Sequence, residues 1–160
     1  MTAAMLRTYA LALALVTVIG CSKKDGGGGG GDDKPTPTKL PKLGLQIDVP
    51  GPVEVSDGMG GDASHMLMGA GIGAMHVDLM KEPQTIEAAK EDASMFTPQN
   101  LKEEKLADGW VLTYENTGSM GKNLFVEVRR DIDGKSYKCG TTGSDDRTQK
   151  VLAACKTLRK

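Results

Sequence analysis

Residues 108–142 read DGWVLTYENTGSMGKNLFVEVRRDIDGKSYKCGTT, and they carry the clearest structural signal in the chain. Apolar and polar residues alternate in three runs of this stretch, and a period of two is typical of strands with one buried face. Asp108-Gly109 and Asp133-Gly134 are turn signals next to such strands. The stretch therefore predicts an antiparallel meander, with a turn region at residues 116–122. The apolar residues of the runs are Trp110, Leu112, Tyr114, Leu124, Val126, Val128, Tyr137 and Cys139.

The sequence before this meander predicts further strands. Residues 43–49 alternate in the same way and end at Pro50-Gly51-Pro52, because proline cannot continue a strand ladder. Val53 and Val55 indicate a short second strand. Residues 65–68 and 74–80 form a predicted hairpin around the glycine-rich residues 69–73, and residues 100–106 form a polar, partly exposed strand.

Two amphipathic helices are also predicted. The first covers residues 83–96 with Thr85 as its N-cap, and the second follows Ser144, another cap candidate. The order of elements predicts an α+β fold in which helices pack against an antiparallel sheet. The apolar positions at helical spacing are Ile86, Ala89, Ala93 and Phe96 in the first helix, and Val151, Leu152, Cys155 and Leu158 in the second.

The predicted domain opens with GLQIDVP at residues 44–50. This opening, the central helix, the strand that starts at Asp108-Gly109-Trp110, and the closing strand and helix are similar to PsbP-like and DcrB-like domains. The resemblance covers residues 43–160. It implies an α/β/α sandwich around an antiparallel sheet, in a protein that is exported or membrane-associated and usually non-catalytic. It supplies no site residues.

The N-terminal residues have the parts of an export signal. Arg7 is followed by an apolar run at residues 9–19, about 11 residues long, whereas a bilayer span needs about 20. The run leads to Val18-Ile19-Gly20-Cys21, which resembles the lipobox of bacterial lipoproteins. That resemblance implies cleavage before Cys21, diacylation of its thiol with chains such as palmitate, and usually acylation of the new amine. The alternatives are an ordinary signal peptide or a buried strand with an incidental cysteine.

These features divide the chain into three parts. Residues 1–20 are a predicted lipoprotein signal peptide, residues 21–39 a lipid anchor and tether, and residues 40–160 a single α+β domain. The tether contains glycines at positions 26–31, then Asp32, Asp33 and a Pro-Thr-Pro alternation. Such a composition buries too little apolar surface to offset chain entropy, so we expect it to be disordered.

The number of cysteines and the net charge limit the functions that we expect for this chain. With Cys21 acylated, Cys139 and Cys155 are an even pair in an exported, oxidising setting, and they predict a disulfide. The alternative is two free, buried cysteines.

Removal of residues 1–20 takes away one basic residue, Arg7, and leaves 19 Lys and Arg against 21 Asp and Glu. Nucleic-acid binding is not expected, because the chain has neither a basic excess nor many aromatic residues.

Residues 59–80, MGGDASHMLMGAGIGAMHVDLM, hold five of the nine methionines and both histidines. Thioether and imidazole groups suit copper, above all Cu(I), so the segment contains a candidate soft-metal site. Two hairpin registers are open: one places Met66 opposite Met75, and the other places Met66 opposite His76. The alternative is that the methionines fill the core. The candidate ligands are His65, Met66, Met68, Met75 and His76.

No catalytic pattern stands out. The chain lacks a GxSxG motif, and Asp62, Ser64 and His65 are too close in sequence to favour a triad. We expect a non-enzymatic binding or structural protein of the cell envelope, lipid-anchored at the periplasmic face of the outer membrane of a Gram-negative bacterium. Its expected partners are the membrane, through the lipid, and an envelope protein or lipid, with no cofactor besides the covalent lipid. The alternative is a periplasmic carrier of copper or another soft metal.

Overall fold

The computed structural model describes residues 34–60, 63–119, 121–143 and 146–160. The predicted signal peptide, Cys21 and most of the tether lie outside these ranges, as do Asp62 and the predicted cap Ser144. The described ranges contain nine strands and two helices. Their bounds are β1 Pro35–Leu40, β2 Leu45–Pro50, β3 Glu54–Asp57, β4 Ser64–Gly69, β5 Gly73–Leu79, α1 Ile86–Ser94, β6 Gln99–Leu106, β7 Gly109–Gly118, β8 Gly121–Ile132, β9 Lys135–Gly143 and α2 Arg147–Lys156.

Seven strands form one antiparallel sheet in the order β3-β4-β5-β9-β8-β7-β6. The predicted meander is the half from β6 to β9, in which each strand pairs with the next one along the chain. Pairing of β5 with β9 joins this half to the β3–β4–β5 half. β1 and β2 form a separate two-stranded antiparallel sheet. The prediction of an antiparallel sheet accompanied by helices is confirmed.

The two helices lie on opposite faces of the seven-stranded sheet. Val111 on β7 belongs to a core shared with α2 and the β1–β2 hairpin, whereas Leu112 belongs to a second core shared with α1. Successive strand residues point to opposite faces, so the sheet separates the two cores. We call the side with α2 the first face and the side with α1 the second face. The buried residues of the second core are Ile86, Ala89, Ala93, Trp110, Leu112 and Tyr114.

A disulfide joins Cys139 on β9 to Cys155 on α2, with 5.6 Å between the two Cα atoms. Both side chains are fully buried in the first core. The predicted pairing is therefore confirmed. It links α2 to the central strand of the sheet, and closing a loop of this length stabilises the fold by about 3 kcal/mol in the chain-entropy model.

Thr85 is the N-cap of helix α1 as predicted, because its hydroxyl accepts a hydrogen bond from the Ala88 N–H at 3.1 Å, and the helix begins at Ile86 rather than at residue 83. Trp110 Nε1 donates to the Gln84 carbonyl at 3.0 Å and holds the start of the helix against β7. The expectation that Phe96 continues the buried stripe is wrong. The helix ends at Ser94, Thr97 takes a φ of 52°, and Phe96 is 47% exposed.

Two boundaries differ from the sequence-based expectations. Residues 35–39, expected in the tether, belong to β1 and pair with β2. Prolines are compatible with β1 because this strand pairs on one side only.

The expected turn at residues 116–122 is mostly strand, since β7 continues to Gly118 and β8 begins at Gly121. Asn123 Nδ2 donates to Asn116 Oδ1 across this arm at 2.9 Å, and Lys122 Nζ lies 2.7 Å from Glu115 Oε2. Cross-strand polar pairs thus stabilise the end of the β7–β8 hairpin, although its sequence is typical of a loop.

Candidate functional site

The β4–β5 hairpin takes the second of the two registers left open by the sequence. Met66 lies opposite His76, and Gly69 lies opposite Gly73. Gly73 has a φ of 68°, in the left-handed region that glycine adopts without steric cost. Because directly opposite residues of an antiparallel pair share a face, this register sorts the predicted metal ligands into two groups.

His65 and Met75 point into the first core. Met75 is 1% exposed, so core packing explains it. His65 is 3% exposed, and its Nε2 accepts a hydrogen bond from the Lys42 N–H at 3.1 Å. The ring proton is then on Nδ1, which donates to the Ser56 carbonyl at 3.2 Å. Both ring nitrogens are engaged with backbone, which gives His65 a structural role.

Met66, Met68 and His76 lie together on the second face, on the part formed by β4 and β5. Helix α1 packs on the same face, but against β7. The pairing registers bring residues of β8 and β9 beside this part of the face. We call the region the open face, and define it by Ser64, Met66, Met68, His76, Asp78, Glu127 and Lys138.

The open face carries two polar clusters. In the first, the Ser64 hydroxyl donates to Asp78 Oδ1, and His76 Nε2 lies 3.8 Å from Asp78 Oδ2. In the second, Lys138 Nζ lies 2.6 Å from Glu127 Oε2. Gly140 is paired with both His76 and Glu127, so this position adds no side chain between the clusters. A Cβ at Gly140 would collide with the Val126 carbonyl oxygen, which explains the glycine.

Burial lowers the pKa of His76. The Asp78 carboxylate acts in the opposite direction, the charge of Lys138 lowers the pKa further, and Glu127 opposes it. The net effect is a neutral imidazole at pH 7, with a lone pair on one ring nitrogen.

The second cluster extends to Tyr114 at the edge of the second core. Burial, followed by the charge of Glu127 and a hydrogen bond to it, raises the pKa of Tyr114 to about 12. The phenol therefore stays protonated at neutral pH and donates to Glu127. This carboxylate is held from two sides, by Tyr114 and by Lys138.

Ser64 is not placed as a nucleophile. Its side chain is fully buried, and its hydroxyl donates to Asp78 rather than to a histidine. The glycine loop before β4 packs onto this pair, since a Cβ at Gly58 would overlap the Ser64 hydroxyl. His65, the next residue, points to the opposite face. The structure thus separates two members of the disfavoured triad, and Asp62 lies outside the described residues.

Grooves flank α2 on the first face. One, of about 400 Å³, runs between α2 and the β6–β7 pair and has mixed polar and apolar walls that include Lys102, Glu104, Thr113, Gln149 and Leu152. Another, of about 210 Å³, lies between α2 and the β1–β2 hairpin. These grooves exist because α2 covers the middle of the first face and not its margins.

Sequence reasoning missed Asp78, Glu127 and Lys138 as members of a site. The signal for Asp78 was present, because His76-Val77-Asp78 places two ligand-type side chains on one face of a strand. Glu127 and Lys138 depend on β5 pairing with β9 and β9 with β8, which local patterns do not reveal.

No family model matches the chain, and no curated protein matches it at a significant level. Among the described residues, no group of three or more His, Cys, Asp or Glu side chains is arranged to hold a metal ion. In the same part of the chain, neither helix has the length and apolar character to cross a membrane.

Proposed function

We propose that this protein is a lipid-anchored envelope protein whose α+β domain is a non-catalytic binding or structural module. The observation that carries the proposal is the fully buried disulfide between Cys139 and Cys155. Core disulfides form and persist in oxidising compartments, so this bond supports export. The lipobox-like Val18-Ile19-Gly20-Cys21 supplies the anchor, and two or more acyl chains hold a protein stably on a membrane.

The proposed location is the periplasmic face of the outer membrane of a Gram-negative bacterium. The proposed partner is an envelope protein or lipid that the tethered domain reaches. Among the described residues, surfaces available for such a partner include the grooves beside α2 and the open face.

A binding role is favoured over catalysis by the chemistry of the two polar clusters on the open face. The Ser64 hydroxyl is committed to Asp78, and the Glu127 carboxylate is held by Lys138 and Tyr114. Ion pairs and hydrogen bonds of this kind fix the side chains in position. Covalent catalysis instead needs a general base next to a nucleophile, and these pairs do not provide one.

The finer fold assignment is also a proposal: a PsbP-like α/β/α sandwich. Its support is the position of α1 and α2 on opposite faces of the antiparallel sheet. The low helix content, with two helices of 9 and 10 residues, makes the layers thin.

Metabolic labelling with an alkyne-modified palmitate in a Gram-negative host tests the anchor. We expect label on the full-length protein, none on Cys21→Ala, and co-sedimentation with outer membranes for the wild type only. Protease should reach the domain only after the outer membrane is permeabilised. The matched control is Cys139→Ala/Cys155→Ala, which removes the other two cysteines and should keep the label. Retention of residues 1–20 in intact-mass spectra would contradict the proposal.

The second candidate function is a carrier of copper or another soft metal. The observation that favours it is the direct pairing of Met66 with His76 on the open face. His65 and Met75 are removed from the candidate ligand set, because both are buried in the first core.

A further inference from the structure

We propose that Met66, His76 and Asp78 form a copper-binding site on the open face. The proposal deepens the second candidate function by adding Asp78 and naming the metal. It does not depend on the lipid anchor. The site contains two of the side-chain types that commonly hold metals, His and Asp, together with one thioether.

The geometry of His76 and Asp78 suits a shared ion. The two residues are separated by one position on β5, so both side chains stand on the same face. His76 Nε2 and Asp78 Oδ2 are 3.8 Å apart. Nitrogen and oxygen ligands at about 2.0–2.2 Å from a metal lie roughly 3–4 Å from each other. The pair is therefore spaced for chelation without a change in the backbone.

Met66 supplies the third ligand because it lies directly opposite His76 on β4. Cβ atoms of directly opposite residues are about 4.5–5.5 Å apart, and the flexible methionine side chain covers such a distance. Met68 is on the same strand and face, but it lies opposite Ala74 and is 55% exposed. Met68 is thus a second methionine on this face, two residues along β4 from Met66 and outside the proposed site.

The charges around the site favour a cation. Asp78 carries one negative charge, and the neighbouring Lys138 and Glu127 neutralise each other at 2.6 Å. Ser64 holds the other carboxylate oxygen of Asp78 and so orients Oδ2 toward His76. A bound metal ion would thus meet a fixed carboxylate with a net local charge of about −1.

The ligand types select copper. Imidazole nitrogen binds zinc and copper, and a thioether is a soft ligand that suits Cu(I) and not magnesium or calcium. Zinc in proteins is held by Cys, His, Asp and Glu rather than by Met, so the thioether points to copper. Removal of the Met66 sulfur should therefore weaken copper binding and leave any zinc binding by His76 and Asp78 unchanged.

The test is copper titration of the full-length protein, purified in detergent with a tag that lacks histidine. Cu(I) is measured against a competing chelator, and Cu(II) and Zn(II) by calorimetry. We expect one copper ion per chain, binding lost in His76→Ala, and affinity reduced by about 10-fold or more in Met66→Leu and in Asp78→Asn. Met68→Leu is the matched control and should bind as the wild type does. Circular dichroism and the intact disulfide establish that each variant is folded.

Cys21→Ala separates this proposal from the anchor, because it removes the lipid and any free thiol but should keep copper binding. The proposal is overturned if the folded wild type binds no copper, if His76→Ala binds as well as the wild type, or if Met66→Leu and Met68→Leu behave alike. A wild-type protein that takes up no lipid label but binds copper would count against the anchor alone.

Discussion

Arg159 forms a bidentate ion pair with Asp48, in which Nη1 lies 2.9 Å from Oδ2 and Nη2 lies 2.8 Å from Oδ1. The backbone reinforces this contact, because the Gln46 N–H donates to the Arg159 carbonyl at 2.8 Å and the Arg159 N–H donates to the Gln46 carbonyl at 3.0 Å. The C-terminal residues therefore pair with β2 after α2 has crossed the first face.

This ion pair makes stability depend on pH. The hydrogen bond from Arg159 lowers the pKa of Asp48. A carboxyl group with a lower pKa in the folded state contributes stability above its unfolded pKa, and the contribution is lost as the pH falls through the folded pKa. We expect Arg159→Gln to raise the pKa of Asp48 and to flatten the loss of stability below about pH 4, measured by carboxyl NMR and urea unfolding. Lys160→Gln is the control, and an unchanged Asp48 pKa in Arg159→Gln would refute the assignment.

His76 should titrate below the ordinary histidine pKa of about 6.5, because its burial opposes the charged form. Imidazole NMR shifts measure this directly. Asp78→Asn should lower the pKa further, and Lys138→Met should raise it, since the two charges act in opposite directions. Because the unfolded chain binds this proton more tightly, stability is complete above about pH 6.5 and declines below it. A His76 pKa above 6.5 would mean that the carboxylates outweigh burial.

The two histidines should differ in their effect on stability. His65→Ala removes a buried ring that accepts a hydrogen bond from the Lys42 N–H and donates one to the Ser56 carbonyl, and we expect a loss of about 1–3 kcal/mol in the free energy of unfolding. His76→Ala is the matched comparison and should cost about 0.5 kcal/mol, because the open face is partly exposed. Urea denaturation measures both. Equal losses would contradict the structural role assigned to His65.

The disulfide should supply a substantial part of the stability. Replacement of both Cys139 and Cys155 by alanine should lower the free energy of unfolding by about 3 kcal/mol. Reduction of the wild type should have a similar effect once the core opens enough to admit the reductant. Cys21→Ala serves as the control and should unfold as the wild type does. If reduction leaves the midpoint of unfolding unchanged, the disulfide contributes little to the free energy of unfolding.

Local sequence patterns predicted much of the fold. The alternation at Leu45, Ile47 and Val49 indicated β2, and Thr85 marked the start of α1. Patterns failed where polar residues form strands without a buried face. Residues 116–118 and 121–122 extend the β7–β8 arm, and residues 35–39 pair with β2 although they contain two prolines.

The candidate site was only partly predictable. The sequence indicated that residues 59–80 concentrate histidine and methionine, but it allowed two registers for the hairpin. A shift of one residue moves every side chain of a strand to the other face, so the register decides which of these residues can meet.

Periodicity and cysteine count are properties that the sequence shows directly, and they were sufficient for most of the strands, for both helices and for the Cys139–Cys155 pairing. Only the tertiary structure decided that Met66 faces His76, that Met75 and His65 are buried, and that Lys138 and Glu127 join the open face. The physical reason is that these relationships depend on which strands become neighbours. That choice follows from burying the apolar residues of both sheet faces at once, against α2 on one side and α1 on the other.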